Sequence, residues 1–193
     1  MLTDVVVVGV GALGSHVVLF GRNWRDPMVL VDFDRVERKN TLAQFHPIMG
    51  EGKNKTIALS TAMNGLFRAK MATSTYKVSK DNVAAILGNA KLVLDCTDNA
   101  EARRVIQGWV RAAGIPCLHG ALSADGSFGR IVWDEHFVAD EEGVAGQATC
   151  EDGLALPFFA LAAAQMAATA QVFLTKGVKR SFQLTESGII RLA

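Results

Sequence analysis

The chain has 193 residues, of which half are hydrophobic and a fifth are charged, and its net charge is +1. This composition predicts a globular protein with its own core, which we assign as a single domain over residues 1–193. No cluster of Lys and Arg alternates with aromatic residues, so we expect no nucleic-acid partner. The three cysteines are widely spaced and odd in number, and the N-terminus does not resemble a signal peptide, so we expect a cytoplasmic protein without disulfides.

Predicted strands and helices alternate along the chain. Apolar runs at 4–9, 28–32 and 91–95 are typical of strands that are buried on both faces of a parallel sheet. The remaining pattern predicts helices at 12–22, 53–66, 81–87 and 102–113, strands at 72–77, 116–120 and 127–133, and a hairpin of 181–184 with 189–192. The fold class is therefore α/β: a Rossmann-like, doubly wound, mostly parallel sheet with an antiparallel C-terminal edge.

One segment, 154–175, is rich in Ala, Phe and Leu and invites comparison with a membrane span. It contains Gln165, Thr169 and Gln171, and Ala contributes little to membrane insertion. We therefore expect no membrane contact, and we interpret the segment as a helix buried in the core or at a subunit interface.

A glycine-rich loop follows the first predicted strand and opens the first helix at Ala12. Gly9, Gly11 and Gly14 allow a tight turn and a close approach of the backbone to a phosphate group, which the N-terminus of a helix attracts. The pattern indicates a nucleotide without specifying which one. The alternative is a tight strand-to-helix turn that binds no ligand.

Two aspartates follow further predicted strands. Asp32 ends the second strand, eighteen residues beyond Gly14, where a carboxylate can accept hydrogen bonds from ribose hydroxyls. Asp98 follows the strand at 91–95, where a carboxylate together with phosphate oxygens suits Mg²⁺. The alternative for Asp98 is a helix capping box with Glu101.

Two lysines follow the polar connection at 33–52, which is long enough to be a candidate functional loop. Lys53 or Lys55 could reach a phosphate as a point charge, although a solvated surface position is the default for a lysine.

Cys150 lies in a loop before the Ala-rich helix, where a lowered thiol pKa would favour a thiolate nucleophile. A small buried residue is the alternative for this cysteine. Cys96 and Cys117 lie in apolar contexts beside strands and are interpreted as packing residues.

Taken together, these motifs resemble those of the ThiF/MoeB/ubiquitin-activating enzymes, and the resemblance covers nearly the whole chain. The three most specific segments are Gly9-Val-Gly-Ala-Leu-Gly-Ser15, Asp32-Phe-Asp-Arg-Val-Glu-Arg-Lys-Asn40 and Asp95-Cys-Thr-Asp-Asn99. Thr149-Cys150 is similar to the stretch around the family's reactive cysteine.

The resemblance implies an activity, a cofactor set and a partner. Members of the family bind Mg-ATP and adenylate the C-terminal carboxylate of a ubiquitin-like or sulfur-carrier protein ending in Gly-Gly, and they usually work as dimers. A peptide or a small carboxylate is an alternative substrate, and a homodimer or a heterodimer is expected here.

Residue by residue, the resemblance implies a site that matches the family's motifs. Nucleotide-binding positions are implied at Gly9, Gly11, Ala12, Gly14, Asp32, Asp34, Asn40, Gln44, Lys53, Thr97 and Asn99. Lys53 would be the catalytic phosphate lysine with Lys55 in reserve, Asp98 the catalytic Mg²⁺ ligand, and Cys150 the catalytic group that takes the acyl or sulfur group.

Three departures from the family pattern leave alternatives open. Ala43 stands where the family often has an arginine, the leading helices that carry a further arginine are not present, and paired Cys-x-x-Cys motifs are lacking, so we expect no structural zinc. One alternative is a non-catalytic nucleotide-binding half of a heterodimeric activating enzyme. Another is an NAD-dependent oxidoreductase, which would share the glycine loop and Asp32 but would leave the segment at 95–99 unexplained.

Overall fold

The computed structural model describes residues 4–123, 125–138 and 153–192. Its strands are β1 Asp4–Val8, β2 Met28–Val31, β3 Ala72–Ser74, β4 Ala90–Asp95, β5 Cys117–Leu122, β6 Phe128–Trp133, β7 Phe182–Thr185 and β8 Gly188–Arg191. Its helices are α1 Ala12–Gly21, α2 Asn40–Ala43, α3 Lys55–Phe67, α4 Val83–Leu87, α5 Ala100–Ala113 and α6 Leu156–Lys176, with 3₁₀ turns at Ile48–Gly50 and Asp134–His136.

All the described strands belong to one 8-stranded sheet, in the order β3-β2-β1-β4-β5-β6-β7-β8. Neighbouring strands from β3 to β5 are parallel, and β6, β7 and β8 continue the sheet in antiparallel fashion. This confirms the predicted fold class. Strand order reverses between β1 and β4, which is the switch point where open α/β sheets leave a crevice at the carboxyl ends of their strands.

Both faces of the sheet are covered by helices, which explains the uninterrupted apolar runs in the sequence. Val5 and Val7 of β1 face a core formed with α1, α3 and α6, whereas Val6 and Val8 face a second core formed with α4 and α5. Because side chains alternate along a strand, a strand covered on both sides favours apolar residues at every position.

The Ala-rich segment forms α6, which packs against α1 and contributes Ala162, Ala163, Met166 and Ala170 to the larger core. The helix begins with Pro157 in its first turn and ends at Gly177, whose φ is 68°. By length and composition alone α6 could cross a membrane. In this structure, however, the side chains on one face of α6 pack into the core, as those of a core helix do.

Several element boundaries differ from the predictions by one to three residues. β3 stops at Ser74 rather than continuing to residue 77. α3 begins at Lys55 because the Asn54 side chain caps it by accepting the Thr56 N–H. The connection at 33–52 is not wholly irregular, since it contains α2 and the first 3₁₀ turn.

The packing of α6 yields a matched test of its core role. Met166 is fully buried, whereas Leu161, on the same helix, is 44% exposed. We expect Met166→Ala to lower the free energy of unfolding by about 2–5 kcal/mol, and Leu161→Ala to lower it by less than about 1 kcal/mol. Urea denaturation measures both values. Equal losses in the two variants would contradict this packing.

Candidate functional site

The glycine loop lies between β1 and α1 and packs tightly against the end of β4. Gly9 has a φ of 83°, and a Cβ there would lie 2.9 Å from the carbonyl oxygen of Cys96. A Cβ at Gly14 would lie 1.9 Å from the carbonyl oxygen of Gly9. A Cβ at Gly11, by contrast, would meet nothing within 4 Å. The N-terminus of α1, beginning at Ala12, therefore presents its first N–H groups beside open space, and helix geometry leaves those groups without intrahelical acceptors.

Asp32 connects the end of β2 to this loop. Its Oδ2 accepts the N–H of Val10 at 2.8 Å, and its Oδ1 accepts the N–H of Asp34 at 2.9 Å. Burial raises the pKa of Asp32, although the two N–H groups and the nearby charge of Lys55 oppose that rise. Each carboxylate oxygen keeps a lone pair for a further donor, so the residue can bind a hydroxyl without releasing the loop.

A charged pair stands beside Asp32. Lys55 begins α3, its side chain is only 10% exposed, and its Nζ lies 3.1 Å from Oδ2 of Asp34. Asn54, the capping residue, also donates from Nδ2 to the carbonyl oxygen of Asp32. These bonds fix the start of α3 against β2 and hold Lys55 in the crevice. Lys53, in contrast, is exposed on the preceding turn, where its carbonyl oxygen accepts the N–H of Val36.

The segment at 95–99 leaves β4 toward the same crevice. Oδ1 of Asp95 accepts both the N–H of Thr97 at 3.0 Å and its hydroxyl at 2.7 Å. Asn99 caps α5 by accepting the N–H of Ala102, so the capping interpretation of Asp98 is wrong. The Asp98 side chain is exposed, outside the first turn of the helix.

The connection at 33–52 folds back over the glycine loop. The N–H of Phe45 donates to Oγ of Ser15 at 2.9 Å, and Nε2 of His46 donates to the carbonyl oxygen of Val10 at 2.8 Å. Oδ1 of Asn40 accepts the N–H of Glu37. Gln44 has a buried Oε1 for which the described residues supply no hydrogen-bond partner, which leaves an acceptor available to a ligand. Sequence analysis singled out neither Ser15 nor His46, since a lone Ser or His carries no motif signal.

The two cysteines that the structure describes, Cys96 and Cys117, are not suited to act as nucleophiles. Cys150 lies outside the described residues. Burial raises the pKa of the Cys96 and Cys117 thiols, which suits the predicted packing role and disfavours a thiolate.

The described residues include no group of three or more His, Cys, Asp or Glu side chains that could hold a metal ion. A divalent cation at this crevice would therefore depend on phosphate oxygens together with a single carboxylate, as Mg²⁺ commonly does. Asp98 is the exposed carboxylate of the 95–99 segment that fits this donor set.

Comparison with known proteins identifies the family of the chain. The profile of the ThiF family matches residues 2–183. The chain belongs to the ThiF family. Membership confirms the resemblance drawn from the sequence motifs, and it gives no support to the NAD-dependent oxidoreductase alternative.

Two curated relatives indicate how much of the ThiF-family sequence is shared. The chain is 31% identical over 121 residues to the SAMP-activating enzyme E1 of Haloferax volcanii, covering 61% of this chain and 45% of that protein. It is 30% identical over 131 residues to adenylyltransferase and sulfurtransferase MOCS3 of Caenorhabditis briggsae, covering 64% of this chain and 32% of the relative. The ThiF-family chain thus matches less than half the length of each of these relatives.

Solved structures share the ThiF-family fold. E. coli MccB superposes with a TM-score of 0.78 at 17% identity, covering 98% of this chain and 61% of that chain. E. coli tRNA N6-threonylcarbamoyladenosine dehydratase, TcdA, in complex with AMP, superposes with a TM-score of 0.66 at 17% identity, covering 91% and 88%. At these identities the likeness concerns the fold alone.

The burial of His46 beside the glycine loop makes the stability of the fold depend on pH. Burial, together with the nearby charges of Lys55 and His16, lowers the pKa of His46 from 6.5 to about 4 despite the hydrogen bond to Val10. Between those two values the unfolded chain binds more protons than the folded one, so stability falls as the pH is lowered through that window.

We expect His46→Gln to remove this dependence, because Gln keeps a donor for the Val10 carbonyl but does not titrate. The wild type should lose about 2 kcal/mol more than this variant between pH 7 and pH 5. Chemical denaturation at the two pH values measures the difference, and parallel losses would show that His46 titrates normally.

Proposed function

We propose that this chain uses ATP to adenylate a C-terminal carboxylate of a ubiquitin-like or sulfur-carrier protein, or of a peptide. The observation that supports the proposal most strongly is that several candidate binding groups lie together at the switch point of the sheet. Four candidate groups lie on segments that leave β1, β2 or β4 at this edge, or on helices packed beside them: the open N-terminus of α1, Asp32, the buried Lys55 and the exposed Asp98.

The names of related proteins support this choice of substrate class. One is called a SAMP-activating enzyme and another an adenylyltransferase and sulfurtransferase. A structure of E. coli MccB with ATP shares the fold, with a TM-score of 0.75 at 16% identity.

The site offers complementary groups for each part of ATP. The N–H groups at Gly11 and Ala12 suit the phosphates, and the carboxylate of Asp32 suits the ribose hydroxyls. Gln44, with its unpartnered Oε1, lies beside the glycine loop, where a donor from the nucleotide or from bound water can reach it. Thr97 and Asn99 shape the wall of the crevice through their bonds to Asp95 and to α5.

In the proposed reaction, a carboxylate oxygen of the acyl substrate attacks the α-phosphorus of ATP. The new bond is an acyl–phosphate anhydride, the bond from the α-phosphorus to the bridging oxygen breaks, and pyrophosphate leaves. Mg²⁺, when bound at Asp98, would neutralise phosphate charge and orient the leaving group. In a later step, Cys150 is proposed to receive the acyl group: its thiolate attacks the carbonyl carbon of the acyl adenylate, the bond from that carbon to the phosphate oxygen breaks, and a thioester forms as AMP leaves. Receipt of a sulfur group would instead require a persulfide donor, whose thiolate would be the leaving group.

Lys55 is the better candidate for the phosphate lysine. Its ammonium group is already desolvated and is paired with the half-exposed Asp34. A desolvated cation that can turn toward a phosphate stabilises developing negative charge far more strongly than an exposed one such as Lys53.

A non-catalytic half of a heterodimer is the second candidate, and one observation favours it. Ala43, which replaces the family's arginine, is fully buried, and Arg22 and Arg35 donate to the carbonyl oxygens of Leu19 and Gly52. An arginine for the transition state would then come from Arg38 or from a partner subunit.

The exposed apolar side chains of α2 and the adjacent turn, Leu42, Ile48 and Met49, support a proposed homo- or heterodimer.

Exchange of pyrophosphate into ATP, with the cognate carrier present, tests the proposal. We expect Lys55→Ala to reduce exchange by about 100-fold because a desolvated charge contact to the phosphates is lost. Lys53→Ala, the matched control, should change exchange by less than about 3-fold because exposed charges are screened. Asp98→Ala should abolish exchange, and Cys150→Ala should leave it intact.

Two results would count against this assignment. A carrier that binds to a folded wild type without any exchange would identify the chain as a binding half. A larger loss in Lys53→Ala than in Lys55→Ala would return the phosphate role to Lys53.

A further inference from the structure

A buried charged triad, formed by Asp95, His119 and Asp134, lies across the sheet beneath the candidate site. Nδ1 of His119 lies 2.8 Å from Oδ2 of Asp95, and its Nε2 lies 3.2 Å from Oδ1 of Asp134. Only 1% of His119 is exposed, and the ring of Phe137 stacks on it with centroids 3.9 Å apart. The adenylation chemistry proposed above does not use this imidazole, which is too deeply buried to touch a substrate.

Carboxylates flank the imidazole of the triad on both sides. Ionised carboxylates only accept hydrogen bonds. Burial alone would raise the pKa of Asp95 and of Asp134, but hydrogen bonds and nearby cations outweigh it and lower both. His119 lies between these two carboxylates and links the end of β4 to the end of β6.

The outer end of the triad is anchored to α5. Nε of Arg111 donates to Oδ2 of Asp134 at 2.7 Å, and Nε2 of Gln107 donates to Oδ1 of the same residue at 3.1 Å. Asp134 is thereby held in place independently of His119.

The inner end of the triad reaches the segment that carries Asp98. Asp95 uses its other oxygen, Oδ1, for both the N–H and the hydroxyl of Thr97. Nε of Arg103 donates to the carbonyl oxygen of Thr97 at 2.9 Å. Thr97, which immediately precedes Asp98, is therefore hydrogen-bonded through its N–H, its hydroxyl and its carbonyl oxygen. Asp95 accepts the first two of these bonds, and His119 in turn orients Asp95.

Stability alone gives a poor account of this arrangement. Desolvating buried charges costs several kcal/mol per ion, and well-packed apolar residues of similar volume often stabilise a protein equally well or better. A hydrogen-bond network that orients the Asp95 carboxylate can instead hold the segment after β4 at a defined position for binding.

We propose that His119 is a positioning residue that orients Asp95 and thereby sets the place of the Thr97–Asp98 segment at the nucleotide site. The effect on metal binding rests on the proposed function, since it requires Asp98 to hold Mg²⁺ beside ATP. The effect on the segment itself does not depend on that function.

Two amide replacements separate the two ends of the triad. The side-chain nitrogen of Asn can occupy the place of Nδ1, so His119→Asn keeps a donor for Asp95. The side-chain nitrogen of Gln can occupy the place of Nε2, so His119→Gln keeps a donor for Asp134 and loses Asp95. Both variants remove the imidazole ring. Because Arg111 and Gln107 still hold Asp134 in both, a difference between the variants at Thr97 reports the contact to Asp95.

The test combines hydrogen exchange at the Thr97 amide with calorimetric ATP affinity, measured with and without Mg²⁺. We expect His119→Gln to speed exchange at Thr97 and to reduce the Mg²⁺-dependent gain in ATP affinity by about 10-fold or more, as loss of a ligand-orienting partner commonly does. Mg²⁺-free ATP affinity should be unchanged. His119→Asn should stay close to the wild type in both measurements.

If the triad has only a structural role, both variants should have a lower melting temperature. They should then show the same Thr97 exchange rate and the same Mg²⁺-dependent gain in ATP affinity. This result would overturn the proposal. If the wild type does not bind ATP, the proposed function fails, and Thr97 exchange alone decides the positioning role. If neither His119 variant folds, Thr97→Val removes the hydroxyl contact without disturbing a buried charge. An unchanged Mg²⁺-dependent gain in that variant would also contradict the proposal.

Discussion

The hydrogen bond from the N–H of Val10 to the carboxylate of Asp32 is the contact on which the candidate site depends. It joins the glycine loop after β1 to the end of β2, so the loops that follow these two neighbouring strands lie together. The same carboxylate orders Asp34 through its N–H, and Asp34 in turn holds the ammonium group of Lys55. Removing the Asp32 carboxylate would release the loop, the acidic partner and the lysine together.

Helix caps explain how charged side chains come to line the crevice. Asn54 and Asn99 satisfy the first N–H groups of α3 and α5, and each cap is directly adjacent in sequence to a charged residue. Lys55 follows its cap and points inward, whereas Asp98 precedes its cap and stays exposed. At α1 the capping position is Gly11, which has no side chain to cap the helix, and a Cβ there would meet nothing within 4 Å. A ligand phosphate would supply the missing acceptor there.

Much of this fold followed from local patterns in the sequence. Apolar runs and glycine spacing predicted the parallel strands, the turn at 9–14 and the position of Asp32, because each depends on residues close together in the chain. Which of Lys53 and Lys55 is the better candidate for the phosphate lysine depends on a tertiary contact with Asp34. Whether Asp98 or Asn99 caps α5 depends on a difference of one residue in where the helix begins. The triad joins positions 95, 119 and 134 from separate elements, and no short motif marks it. Cys150 stays a prediction, since it lies outside the described residues.

Calorimetry that compares ATP with NAD tests the central claim most directly, namely that the crevice at the ends of β1, β2 and β4 is an ATP site. The account predicts that ATP with Mg²⁺ binds to the wild type, that Asp32→Ala abolishes this binding, and that NAD binds much more weakly than ATP. Tighter binding of NAD than of ATP, or ATP binding that survives the loss of the Asp32 carboxylate unchanged, would contradict it.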